Sequence, residues 1–160
     1  MARIWMYVSL LMFIAIKTQG CPQGWVQGPN ACFFFSKFGG SWADGNAICQ
    51  GFNTRLAEPE DDATLAFLLR HAKIEHPTNA QFYLGGSDMF AEGTWVWSST
   101  LDKVNPSHWT PGNPNDDYNN GDCLTLNAPG GGLNDVRCTD TYSFICQAET
   151  ENHETVNVIG

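Results

Sequence analysis

Basic residues are scarce in this chain: 8 Lys and Arg stand against 17 Asp and Glu in 160 residues, a formal net charge of −9. A surface so poor in cations is repelled by phosphate backbones and anionic lipid, which excludes nucleic acid and membrane as partners and favours hard cations such as calcium. Long apolar runs are lacking as well; the single one, near the N-terminus, is too short to cross hydrocarbon. No internal repeat exists. No cysteine pair has the C-x₂₋₄-C spacing, and His71 and His76 are not spaced as in H-E-x-x-H, which argues against zinc. The EF-hand pattern is absent too, and the proline in Asn105-Pro106-Ser107 disqualifies that triplet as a glycosylation acceptor. No nucleophile, base and oxyanion-donor arrangement stands out, so a binding protein is expected rather than an enzyme. Core-forming material is not lacking: the chain is 42% hydrophobic and 12% aromatic, too much for an acidic disordered tail.

Residues 1–20 have signal-peptide architecture, with Arg3, an apolar stretch from Ile4 to Ile16 and a small-residue end at Thr18-Gln19-Gly20. Cleavage before Cys21 is expected, giving a secreted, extracellular product. The remaining 140 residues suit one domain, and the loss of Arg3 and Lys17 leaves six basic against 17 acidic residues, a net −11. All six cysteines (Cys21, Cys32, Cys49, Cys123, Cys138 and Cys146) follow the leader, so three disulfides are expected, in any of fifteen pairings.

Along the mature chain, Pro22–Trp25 and Cys32–Phe35 read as an opening hairpin rich in aromatics. Ser41-Trp42-Ala43-Asp44 has the form of a capping box and predicts a short helix to about Gln50, weakened by Gly45. Glu58-Pro59-Glu60-Asp61-Asp62 suits a second helix N-terminus, and Leu65, Leu68, Leu69 and Ala72 mark its buried face. Short strands are predicted at 82–86, 94–97, 123–126, 133–136 and 143–146. Residues 148–160 carry no helix or strand pattern and read as a tail. The stretch from Ser98 to Asp122 has no period. Between Asn105 and Asp122 it holds five Asn, three Asp, three Pro and two Gly. These are turn formers, but a loop this long inside a compact domain points to function, and clustered Asp116, Asp117 and Asp122 repel one another unless a cation screens them.

Several motifs together resemble C-type lectin-like domains, over roughly Cys21 to Gln147. Tyr83-Leu84-Gly85-Gly86 is similar to that family's W-I-G-L segment and Glu92-Gly93-Thr94-Trp95-Val96-Trp97 to its E-G-x-W-x-W strand. Asn113-Pro114-Asn115 resembles the sugar-reading E-P-N or Q-P-D triplet, and Leu133-Asn134-Asp135 the W-N-D calcium strand. The resemblance implies an α+β C-type lectin-like fold with two short helices flanking small antiparallel sheets, a long calcium-binding loop, and bridges Cys21–Cys32, Cys49–Cys146 and Cys123–Cys138.

It also implies calcium as cofactor and glycans as partners. The principal sugar and calcium site falls to Asn113, Asn115, Asn134 and Asp135, and an auxiliary calcium position to Asp88, Glu92, Asp116 and Asp122. Two departures weaken the principal site: Asn113 replaces Glu or Gln, and Gly121 replaces a glutamate, leaving Asp135 as its clear carboxylate unless Asp117 or Asp122 swings in. Calcium is therefore expected first at the auxiliary position, ordering the loop. Asn115 agrees with mannose recognition, whereas Tyr118 stands where galactose binders place a stacking ring; mannose or broad specificity is the expectation. His108 and Trp109 are glycan contacts or core. The functional expectation is a humoral lectin for microbial surfaces, with oligomers needed for agglutination. The alternative is a mineral or protein binder of the shell-matrix or antifreeze type.

Overall fold

The computed structural model describes residues 20–78, 80–116 and 120–150. The expected leader up to Gln19, Asp117 and Tyr118 of the loop, and the tail from residue 151 onward lie outside the described residues.

The opening hairpin pairs β1 (Val26–Gln27) antiparallel with β2 (Ala31–Phe35), Val26 facing Phe33. Gly28 is required at its turn, because a Cβ there would stand 2.5 Å from the Phe33 ring. Helix α1 (Trp42–Gly51) begins with the expected capping box: Asp44 N–H donates to Ser41 Oγ at 3.2 Å and Ser41 N–H donates to Asp44 Oδ2 at 3.0 Å. Gly45, a weakness by propensity alone, faces the core. A Cβ there would come within 3.1 Å of Phe144, so its bareness lets α1 settle on the sheet.

The second acidic run divides its labour in a way that propensity does not reveal. Helix α2 spans Asp62–Glu75 and is capped by Asp61, whose carboxylate accepts from Thr64 N at 2.8 Å. Glu58, at the start of that run, is instead buried. Its carboxylate accepts from the Ser99 backbone N–H at 3.0 Å and from the Ser99 hydroxyl, and lies 3.5 Å from Arg55 Nε. Leu65, Leu68 and Ala72 of α2 are buried and Leu69 packs against the same cluster.

Six strands form the main path, in the order β1, β2, β8 (Ser143–Glu149), β4 (Gln81–Ser87), β6 (Cys123–Asn127) and β7 (Gly132–Val136). The short β3 (Arg55–Leu56) pairs with β8, and β5 (Val96–Trp97) with β4. All pairings are antiparallel except β4 with β8, where Phe82 faces Ser143. Strand β8 runs through Glu149, which faces Ala31, two residues beyond the Gln147 boundary; pairing with the opening hairpin extends it past its apolar pattern.

The disulfides join Cys21–Cys32, Cys49–Cys146 and Cys123–Cys138. Cys49–Cys146 closes a sequence separation of 97 residues, which in the chain-entropy model is worth about 4 to 5 kcal/mol. Among the described residues no helix is long and apolar enough to cross a membrane.

Candidate calcium and carbohydrate site

The long segment after β5 has little regular structure, yet it is tied down at successive points. Val104 N–H donates to Trp95 O at 3.0 Å, and Asn105 caps a single 3₁₀ turn over Pro106–His108. Trp109 then bridges to Leu133, and its ring meets Trp95 edge-on at 4.9 Å, so it belongs to the core. His108 is also buried, with Nε2 2.8 Å from Asp62 Oδ1 at the start of α2. His108 thus lies in the interior and Trp109 packs against the core while partly exposed.

Thr110 is the hinge to the candidate site, and the sequence offered no signal for it beyond its place three residues before Asn113. Its N–H and hydroxyl both donate to the Leu133 carbonyl, at 2.9 and 3.0 Å. Its Oγ1 accepts from Asn113 Nδ2 at 2.6 Å. That bond uses the donor end of the Asn113 amide and leaves Oδ1 buried without a hydrogen-bond partner. An orphaned buried carbonyl oxygen is costly, and it is the kind of oxygen a hard cation takes.

The β6–β7 ladder supplies the other wall, with Leu124 facing Asp135 and Thr125 facing Asn134. Asp135 is buried. Both its oxygens accept from Asn115 N–H at 3.0 Å, and Oδ2 also accepts from Asp116 N–H at 2.5 Å. The structure therefore brings Asn113, Asn115 and Asp135 to one corner, with the carboxylate clamping the loop backbone. Asn134 is half-buried next to it, its carbonyl accepting from Thr125 Oγ1 at 3.1 Å. Gly121 is buried and brings no side-chain oxygen.

The auxiliary residues are linked pairwise by hydrogen bonds and charge. Asp88 directly follows β4 and is 4% exposed. Its Oδ2 accepts from Gly93 N–H at 2.9 Å, while its Oδ1 is buried with no partner. Burial above all, and then the charges of Asp122 and Asp116, push its carboxyl above the usual range. Glu92 is raised chiefly by the charge of Asp88, then by desolvation and by Asp116 and Asp122. Asp116 holds a left-handed φ of +46° and accepts from Gly121 N–H at 3.1 Å, and Asp88 N–H donates to the Asp122 carbonyl at 3.3 Å.

Asp116 and Asp122 thus act on both Asp88 and Glu92, and Asp88 acts on Glu92, although among the described residues no three His, Cys, Asp or Glu side chains already converge as a finished metal cage. The donor set still fits calcium: all-oxygen, multiply acidic, mutually repelling, with one carboxylate oxygen stranded in the interior. Asp88, Glu92, Asp116 and Asp122 would hold such an ion, and Asn113, with its stranded oxygen, could take part in a second.

The family model described as Lectin C-type domain matches residues 39–148. CD209 antigen-like protein D of Mus musculus is 32% identical over 131 residues, covering 81% of this chain and 52% of its own length. A C-type lectin mannose-binding isoform from Oxyuranus scutellatus is 32% identical over 131 residues, covering 79% of this chain and 82% of that protein. The galactose-specific lectin nattectin of Thalassophryne nattereri is 29% identical over 129 residues, covering 81% and 80%. The chain thus spans about half the length of the first of these and about four-fifths of the other two.

Proposed function

The chain belongs to the C-type lectin family, and on that premise we propose that it is a secreted, calcium-dependent carbohydrate-binding protein. The supporting observation is the loop corner itself, where Asn113 Oδ1 is buried and unpaired next to the Asp135 clamp on Asn115 and Asp116. Calcium bound at that corner would supply a Lewis-acidic centre that draws two neighbouring hydroxyls of a hexose. The work of the chain's own residues is orientation. Asp135 holds the Asn115 and Asp116 backbone, Thr110 fixes the Asn113 amide, and Asn115 contributes an amide, a group with both a donor and an acceptor end.

Because Asn113 and Asn115 are both amides, the acid-and-amide order that separates sugars is absent. Relatives named for mannose and for galactose are similarly close. Mannose-type or broad specificity follows from Asn115, and microbial surface glycans are the natural multivalent partners. Agglutination by the loop site alone would call for oligomers.

A second reading is a calcium, mineral or protein binder without sugar recognition. It is favoured by the hydrogen bonds that occupy both Asp135 oxygens and by the missing carboxylate at Gly121. Chromatography on immobilised mannose and galactose with calcium, followed by chelator elution, separates the two. Retention with chelator release on either column supports the lectin; flow-through on both favours the binder.

A further inference from the structure

A separate cavity of about 580 Å³ opens where the first hairpin, the turn after α1 and the end of β8 meet. Its wall includes Trp25, Phe52, Asn53, Arg55, Gln147 and Glu149, none of which belongs to the long loop. The volume lies within the range of small-molecule sites.

Two kinds of surface line it. Trp25, Phe34 and Phe52 form a three-ring cluster with centroid separations of 5.6 to 6.2 Å, yet Phe52 remains 51% exposed. Its backbone N–H is tied to Cys49 O and Ile48 O, so the exposed ring stands on a fixed turn rather than a loose end. The polar lining is the Arg55 guanidinium, the Glu149 carboxylate, the exposed Asn53 amide and the buried Gln147, whose Oε1 already accepts from Glu58 N–H at 3.0 Å. Arg55 Nη2 bonds Glu149 Oε1, and Arg55 Nε is buried without a hydrogen-bond partner, 3.5 Å from the Glu58 carboxylate. Asn53 sits at a left-handed φ of +58°, which pins its turn.

We propose that this cavity is a second saccharide site that works without calcium. A pyranose ring has an apolar face for an aromatic platform and an edge of hydroxyls that both donate and accept. That edge matches the exposed amide of Asn53 and the Arg55–Glu149 pair. Arg55 is paired with both Glu149 and Glu58, so the cavity offers no free positive charge to an anionic ligand. A purely apolar group would leave its polar wall desolvated and unpaired. The site stands independently of the loop reading. If both hold, one domain carries two glycan sites and can bridge glycans without an oligomer, a consequence that rests on the loop reading.

The test is an amide and indole NMR titration of ¹⁵N-labelled protein in EDTA, with methyl α-mannoside, methyl β-galactoside and N,N′-diacetylchitobiose as probes at millimolar concentration. At least one probe should shift the Trp25 indole and the Asn53 side-chain amide, equally in Asp135→Ala. Phe52→Ala should weaken that binding roughly tenfold. Asn53→Gly, which suits the left-handed turn and keeps the fold, should weaken it about threefold. Absence of these shifts with all three probes in a folded spectrum would overturn the proposal, as would shifts that need calcium and vanish in Asp135→Ala. Failure of the loop reading looks different: no calcium-dependent column retention, with the EDTA shifts intact.

Discussion

The two sides of the long loop base meet the same problem, buried oxygen, in opposite ways. At the triplet corner the chain satisfies Asp135 itself, spending its carboxylate on the backbone N–H groups of Asn115 and Asp116. At the auxiliary cluster the chain leaves Asp88 half-satisfied, strands one of its oxygens and surrounds it with like charge that raises both Asp88 and Glu92. A region satisfied by its own backbone is already shaped, whereas a region in electrostatic debt is waiting for a cation. Each side strands one oxygen, Asn113 Oδ1 and Asp88 Oδ1, but only the acidic cluster adds like charge around it, so on the proposed reading the stronger cation demand falls there.

The largest expected effect breaks the shaped side. Asp135→Ala removes the acceptor for two loop N–H groups, at a cost of about 1 to 3 kcal/mol in unfolding free energy, and should abolish retention on a sugar column. Denaturant unfolding and column chromatography read the two losses. Retention that survives would mean Asp135 is not where sugar recognition is organised.

A smaller effect sharpens the cation side through pH. Asp88, Glu92 and the buried Glu58 are all raised in the folded protein, so each binds protons more readily folded than unfolded. Between its unfolded value and its raised folded value, each therefore makes stability fall as pH rises. Asp44 and Asp61 are lowered by hydrogen bonds from Ser41 and Thr64 respectively, and they act the other way at pH below their unfolded value. In EDTA, the melting temperature should decline as pH rises through the range above 4, where the raised acids ionise. Calcium should lessen that decline by screening Asp88 and Glu92, leaving the part due to Glu58, so the calcium-induced rise in melting temperature should grow with pH. A calcium effect that does not depend on pH would deny these acids the cation.

The smallest expected effect is at the joint between the two. Thr110→Val keeps the shape but removes the acceptor for Asn113 Nδ2 and a donor to Leu133. A loss of about 1 kcal/mol in stability and a severalfold weakening of sugar retention are expected, with calcium binding at the acidic cluster unchanged.

Much of this was legible in the residues. The capping box at Ser41, the buried face of α2, the aromatic hairpin and the family motifs announce the fold, and the clustered acids are where the calcium proposal rests. What the sequence hid depended on tertiary partners. Glu58 reads as a helix-start acid but is drawn inside by Ser99 and Arg55, 41 residues ahead and 3 behind it. The strand to Glu149 exists because β2 lies alongside it, and β3 is too short to show a period. Asp135 reads as a ligand; that its oxygens clamp the loop backbone follows only from the turn at Asn113–Asp116, which no spacing rule reports.

The measurement that goes most directly to the central claim is calorimetric calcium titration of the wild-type protein and Asp88→Asn, followed by the mannose column. If the acidic cluster is where calcium binds first, Asp88→Asn should weaken the tighter binding step at least tenfold, and sugar retention should fall with it although no triplet residue has changed. Unchanged calcium affinity with unchanged retention in Asp88→Asn would contradict the account.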